Sequence, residues 1–272
     1  MIQPSGQELE IKVGNTFISY NEAGDKQNPV IIFIHGFPFD KKMWNAQLEV
    51  LGNKFRCIAF DLPGYGRSQK TNDISIESYA DLLDSFMHLM QIDKAAICGL
   101  SMGGYIALRA IVKYPSRFSR LILCDTQCIA DTDEGRKKRY STIEAIEKDG
   151  LGPFTEGFMK NLFTEKNLQS DESYLQAIKT TMLSASPETV TGTLKALAER
   201  IETCSNLSDI KVPVLVICGE EDKITPVKQS QFLHENIPGA KIILLPNAAH
   251  LSNIEQPGLF NDAVKGFMES SN

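Results

Sequence analysis

Residues 96–108 constrain this chain more than any other stretch. The apolar run Ala96-Ile97-Cys98 leads into Gly99-Leu100-Ser101-Met102-Gly103, and an amphipathic run, Gly104-Tyr105-Ile106-Ala107-Leu108, leads out. That order predicts a strand, a tight turn carrying Ser101, and a helix. A serine on so sharp a turn presents its Oγ at the top of a sheet, within reach of both a base and a substrate. Gly99 and Gly103 suit the turn because a side chain at either would collide with the neighbouring strand or helix. The same five residues also describe an ordinary strand–turn–helix junction with an idle serine, so the rest of the chain must decide.

Residues 8–20 read as a hairpin around Gly14-Asn15. Residues 30–34, 55–60, 95–100, 121–124, 212–218 and 241–245 are short apolar runs, as expected of strands covered on both faces. Helical spacing fills 43–51, 75–90, 102–113, 226–236 and 257–268. This alternation predicts an α/β fold: a mostly parallel sheet with helices on both faces. The rhythm breaks between Thr126 and Ser205, where no buried-strand run occurs. Helical stretches lie near 135–148, 154–163, 172–183 and 188–202, with Asp171 and Ser186 as helix starts. The expected organisation is a core domain from 1–125 and 206–272, with 126–205 inserted as an all-helical cap.

A formal net charge of −6 with no basic stripe argues against a nucleic-acid partner. No apolar run approaches the roughly 20 residues of a membrane span. The first eight residues lack the basic-then-apolar pattern of a signal peptide, so a cytoplasmic location is expected. Cys57, Cys98, Cys124 and Cys218 sit in strand-like runs, where Cys acts as a small buried hydrophobe. Cys128 and Cys204 lie outside those runs, and no Cys-x-x-Cys or Cys/His spacing appears. All six are therefore expected as reduced thiols, with no metal and no cofactor.

Open parallel sheets place ligands beyond the carboxyl ends of their strands. At those ends stand His35-Gly36-Phe37, the loop 61–68, Ser101, Asp125, Gly219-Glu220-Glu221-Asp222, and Pro246-Asn247-Ala248-Ala249-His250. A serine, an acid and a histidine in that chain order match a hydrolase triad. Asp222 is the expected acid and Asp125 its rival, with Glu220 and Glu221 as solvated neighbours. The loop 61–68 is not a phosphate cradle, because Gln69 breaks Gly-x-Gly-x-x-Gly and no P-loop Lys follows. His35 is expected to support its own turn, His88 and His234 to be ordinary helix residues, and Trp44 to pack behind the 35–38 loop. The basic run 136–139 is expected to be a solvated face, with a carboxylate-bearing substrate as the alternative use.

Taken together, His35-Gly36-Phe37-Pro38, Asp61-Leu62-Pro63-Gly64-Tyr65-Gly66-Arg67-Ser68, Gly99-Leu100-Ser101-Met102-Gly103-Gly104, Gly219-x-x-Asp222 and Ala249-His250 resemble the α/β-hydrolase family over nearly the whole length, more loosely in the cap. Within that family the chain looks most similar to bacterial 3-oxoadipate enol-lactonase-like and carboxylesterase-type members. The resemblance implies a serine hydrolase acting on a small carboxylic ester or lactone, with Ser101 as nucleophile, His250 as base and Asp222 as its orienting acid. The backbone N–H groups of Phe37 and Met102 would form the oxyanion hole. Alternatives are a carbon–carbon bond hydrolase of the same fold, a perhydrolase, or a slow-turnover ligand receptor that keeps the triad. Serine at 101 disfavours the dehalogenases and epoxide hydrolases of the family, which carry Asp there. Phe154, Phe158, Met159, Leu162, Phe163, Met182 and Leu183 are the cap residues available to face a pocket, most of them expected in the cap's own core.

Overall fold

The computed structural model describes residues 7–170 and 173–270. A hairpin of β1 (Gln7–Val13) and β2 (Thr16–Ala23) turns at Gly14, whose φ of 58° suits glycine. Strands and helices then alternate: β3 (Val30–Ile34), α1 (Asn45–Leu51), β4 (Arg56–Phe60), α2 (Ile76–Leu89), β5 (Ala95–Leu100), α3 (Met102–Lys113) and β6 (Phe118–Cys124). Five helices follow before the next strand: α4 (Asp133–Asp149), α5 (Leu151–Leu162), α6 (Glu165–Leu168), α7 (Ser173–Ser184) and α8 (Pro187–Glu199). The chain closes with β7 (Val214–Gly219), α9 (Val227–Asn236), β8 (Lys241–Leu245), α10 (Ser252–Glu255) and α11 (Pro257–Glu269).

The strands form one sheet in the order β1-β2-β4-β3-β5-β6-β7-β8. Only β1–β2 and β2–β4 pair antiparallel. From β4 to β8 every pairing is parallel, as the continuous apolar runs require. Chain direction across the sheet reverses between β3 and β5: β4 lies on one side of β3, and β5 and its successors on the other. Such a switch point opens a crevice at the carboxyl ends of the two strands. Ile34 and Gly99 are partners there, which sets the residues after β3 beside the residues after β5.

Alternate strand residues supply two cores. Ile32, Ile34, Ile97, Leu121 and Leu123 pack with Tyr79, Leu83 and Phe86 of α2 and Ile106 of α3. Ile31, Phe33, Cys98, Ile122 and Leu215 pack with Trp44, Leu48 of α1 and Phe260 and Val264 of α11. Helix starts follow side-chain caps: Ser75 and Ser78 bond each other's backbone N–H, and Ser186 accepts the Thr189 N–H at 3.2 Å. The expected start at Asp171 and the leader reading of the first six residues lie outside the described residues. No helix among the described residues is long and apolar enough to cross a membrane.

One expectation is corrected. Cys128 and Cys204 are not reduced thiols but a disulfide, with Cα atoms 4.9 Å apart. Linear spacing hides this, because the pair is 76 residues apart and meets only where the chain leaves β6 and returns toward β7. The other four cysteines are free and buried as expected. Cross-linking a loop of that length removes denatured-state entropy worth about 4 kcal/mol. A Cys128→Ala/Cys204→Ala double variant is therefore expected to melt about 5–10 °C lower by calorimetry, as does the native chain under reductant. Unchanged melting in both would show that the bridge does not form.

Candidate active site

Ser101 ends β5 with φ 53° and ψ −114°, a strained conformation for a residue with a side chain. Its N–H donates to the Cys124 carbonyl at 2.9 Å, and its own carbonyl accepts the Thr126 hydroxyl at 2.8 Å. The end of β6 thus holds the turn. A Cβ at Gly99 would stand 2.2 Å from the Gly103 carbonyl oxygen, and one at Gly103 2.2 Å from the Ile34 carbonyl oxygen. Neither position admits a side chain without moving backbone, so both glycines are required by contact. The Met102 N–H opens α3, where it has no carbonyl partner within its own helix and carries the positive end of the helix dipole.

The loop after β3 comes to the same place. A Cβ at Gly36 would meet the Leu100 carbonyl oxygen at 3.2 Å. The Phe37–Pro38 peptide is cis. His35 is fully buried, shares a bond between Nδ1 and the Gly36 carbonyl at 2.9 Å, and accepts the Leu62 N–H on Nε2 at 3.0 Å. Burial pushes its pKa down to about 4, so the ring is neutral. It braces two loops and is no base. The loop 61–68 is structural in turn. Asp61, fully buried, accepts the Lys41 ammonium at 2.7 Å and the N–H groups of Lys41 and Arg67. A Cβ at Gly66 would fall 2.2 Å from that carboxylate. Trp44 packs against Phe33 and Phe260, away from the cavity described below.

Asp222 and His250 are brought together, with His250 Nδ1 2.9 Å from Asp222 Oδ2. Asp222 Oδ2 also accepts the Thr225 hydroxyl at 2.7 Å, and Oδ1 accepts the N–H groups of Ile224 and Thr225 at 2.8 and 3.0 Å. Asp222-Lys223-Ile224-Thr225 is thus a self-bonded Asx turn, a local pattern legible in the sequence. With Nδ1 engaged, the imidazole keeps Nε2 as its free base. No hydrogen bond among the described residues joins His250 to Ser101; catalytic contacts of this kind often tighten only with substrate bound.

The rival acid does not reach the imidazole. Asp125 accepts the Gly219 N–H at 2.8 Å and the Ser252 hydroxyl, so it ties β6 to β7 and to α10. Burial, reinforced by the nearby Asp222 charge, pushes the Asp125 carboxyl well above the usual range. Burial also opposes the Asp222 charge, but the His250 charge and the bonds from His250 and Thr225 outweigh it and hold Asp222 low. For His250 burial favours the neutral ring, while the Asp222 charge and hydrogen bond more than offset this and raise its pKa. The Cys218 thiol lies within 4.8 Å of both carboxylates, and burial keeps it protonated.

Phe37, Ser101 and Met102 open into a cavity of about 780 Å³. Its far wall is Phe154 and Phe158 of α5, whose rings stack 5.4 Å apart and meet the Phe37 ring at 6.1 and 6.2 Å. Of the other candidate pocket residues, Met159, Leu162, Phe163 and Met182 are buried in the core, and Leu183 is exposed. Tyr105, Leu194, Leu197 and Ile224 complete apolar parts of the wall, and Lys138, Arg139 and Lys223 add cations. Helical spacing cannot find these, because they come from four separate segments. Arg139 of the basic run is engaged by Asp131, which also accepts Arg200 at 2.6 Å, while residues 136–138 are exposed.

Comparisons with known proteins agree with this fold. A family model described as the alpha/beta hydrolase fold matches residues 29–257. The chain therefore belongs to the α/β-hydrolase fold family, and it is a hydrolase. It is 28% identical to 3-oxoadipate enol-lactonase 2 of Acinetobacter baylyi over 256 residues, covering 94% of each chain. It is 26% identical over 240 residues to a pimeloyl-[acyl-carrier protein] methyl ester esterase of Nitrosomonas europaea, covering 85% of this chain and 92% of that one. Among solved structures, a thermophilic esterase from Thermogutta terrifontis superposes with a TM-score of 0.90 at 31% identity, over 97% of this chain and 98% of that one. The enol-lactonase of Burkholderia xenovorans does so with a TM-score of 0.90 at 25% identity, over 96% and 100%.

These electrostatics give a prediction independent of any substrate. The His250 ring, followed by NMR, should titrate above the ordinary histidine value of about 6.5. Asp222→Asn should lower that midpoint clearly, while Asp125→Asn, at a carboxyl bonded to Gly219 and Ser252 rather than to the ring, should move it much less. A larger shift in Asp125→Asn would reverse the assignment.

Proposed function

We propose that this chain hydrolyses small carboxylic esters or lactones through an acyl-enzyme on Ser101. The observation that carries the reading is the strained Ser101 turn at the sheet's switch point, with Phe37 and Met102 lining the same cavity. The relatives' names, enol-lactonase and methyl ester esterase, support the substrate class.

The roles follow from the chemistry. A serine hydroxyl is a weak nucleophile at neutral pH, so His250 Nε2 takes its proton as Oγ attacks the carbonyl carbon. Asp222 holds the imidazole tautomer and stabilises the positive charge that forms. The oxyanion develops toward the N–H groups of Phe37 and Met102; one such donor is typically worth about 3–4 kcal/mol. His250 then gives its proton to the leaving alcohol, which departs from an ester and stays tethered in a lactone. A water activated by His250 next attacks the acyl carbon, and Ser101 leaves with the proton returned. No cofactor or metal is needed for these steps.

In this reading helices α4–α8, residues 126–205 in all, act as a cap. They exclude water and give the substrate an apolar wall at Phe154 and Phe158, in a cavity whose size suits a small organic ester. A cytoplasmic location is part of the same proposal, and the Cys128–Cys204 bridge weighs against it, because cytosolic thiol pools reduce most such bonds.

Ser101→Ala should abolish turnover across a panel of p-nitrophenyl esters and simple lactones while melting as the native chain does. Retained turnover would sink the nucleophile assignment. Activity needs neutral His250, whose pKa is raised, so kcat/KM should be lost as pH falls through a midpoint above about 6.5. A profile flat across pH 5–8 would exclude His250 as the base.

A further inference from the structure

We propose that Glu255 is a positioning residue that fastens the His250 loop to the inserted helices, so that the seating of α5 over the site sets the place of the imidazole. The proposal rests on the reading of His250 as the base. Glu255 Oε2 accepts the N–H of Ala249, the residue before His250, at 2.6 Å. Its other oxygen, Oε1, accepts the Thr164 N–H at 2.9 Å, from the turn after α5, and the Asn167 side-chain amide at 2.6 Å, from α6. A second link runs beside it: the N–H of Leu251, the residue after His250, donates to the Leu162 carbonyl at 3.2 Å. Both neighbours of His250 are thus bonded, directly or through one carboxylate, to the end of α5. That helix also carries Phe154 and Phe158, the rings facing Phe37 across the cavity.

The loop has an anchor on the sheet side as well. Ser252 donates to Asp125, which in turn holds the Gly219 N–H at the root of the Asp222 loop. Asp125 fixes the loop to the sheet; Glu255 fixes it to the insertion. Only a carboxylate serves the second task, since it offers acceptor sites on both oxygens to three donors from two segments. A glutamine of nearly the same shape accepts on one oxygen and turns its NH₂ against an N–H on the other side. One segment must then let go.

The consequence for chemistry is specific. A catalytic group displaced by about 1 Å can cost about a hundredfold in rate, whereas a small substrate that barely touches the insertion binds nearly as before. The acidic groups facing His250 are Asp222, which also bonds the ring, and Asp125, which does not, so loosening His250 from Asp222 lowers its titration midpoint.

The test compares the native chain with Glu255→Gln in three measurements: kcat and KM on p-nitrophenyl acetate, the NMR titration of His250, and the melting temperature. The His250 signal is assigned by its loss in His250→Gln. In Glu255→Gln, kcat is expected to fall about tenfold or more with KM within about twofold, and the His250 midpoint to move down. Should Glu255→Gln not fold, Asn167→Ala, which removes one donor and keeps the carboxylate, is expected to shift kcat and the midpoint in the same directions by less. Unchanged kcat and midpoint overturn the proposal, and a lowered melting temperature without them does so too, since it marks a purely structural residue. Full turnover by Ser101→Ala would overturn the catalytic reading alone, because the NMR arm measures the hold of Glu255 on His250 without substrate.

Discussion

The contact on which the rest depends is the approach of the turn at 99–103 to the backbone of β3. Gly103 lies so close to the Ile34 carbonyl that no side chain fits, and Gly99 lies as close to Gly103. This proximity goes with the positive φ of Ser101, from which α3 starts. It also brings the loop after β3 alongside, so that Phe37 and Met102 border one cavity. Strain at 101 costs on the order of 1–3 kcal/mol and persists because β6 over-determines it through Cys124 and Thr126.

Buried carboxyl groups arranged around this turn differ in role because their donors differ. Asp61 has a buried ammonium and two N–H groups and serves as a structural pin for the loop after β3. Asp222 has an imidazole, a hydroxyl and two N–H groups and stays ionised. Asp125, with one N–H and one hydroxyl and a charged neighbour, is pushed upward instead. Two adjacent acids are thus shifted in opposite directions, and only the one held low bonds the imidazole. Sequence order alone could not separate them, since both end strands of the same sheet.

Most of the sheet was legible in the sequence because each parallel strand is buried on both faces and leaves an unbroken apolar run. Ser101, Asp222 and His250 were legible for a related reason: strand ends share one edge, so chain order maps onto position. What stayed hidden depends on contacts across long separations. Cys128 and Cys204 meet only because the helical insertion starts and ends at adjacent points of the core. Phe154 and Phe158 face the cavity while Met159 and Phe163, on the same apolar stretch, do not; the direction of α5 decides this, and no periodicity encodes it. Glu255 carries no local signal that its two oxygens serve different segments.

The proposed role of Ser101 as the nucleophile of a preorganised site is tested most directly by stoichiometric labelling with a fluorophosphonate, followed by peptide mass spectrometry. One equivalent of phosphonyl adduct per chain is expected, located on Ser101, with labelling and loss of ester turnover proceeding at the same rate. Adduct on another residue, or full loss of turnover with Ser101 unmodified, would contradict it.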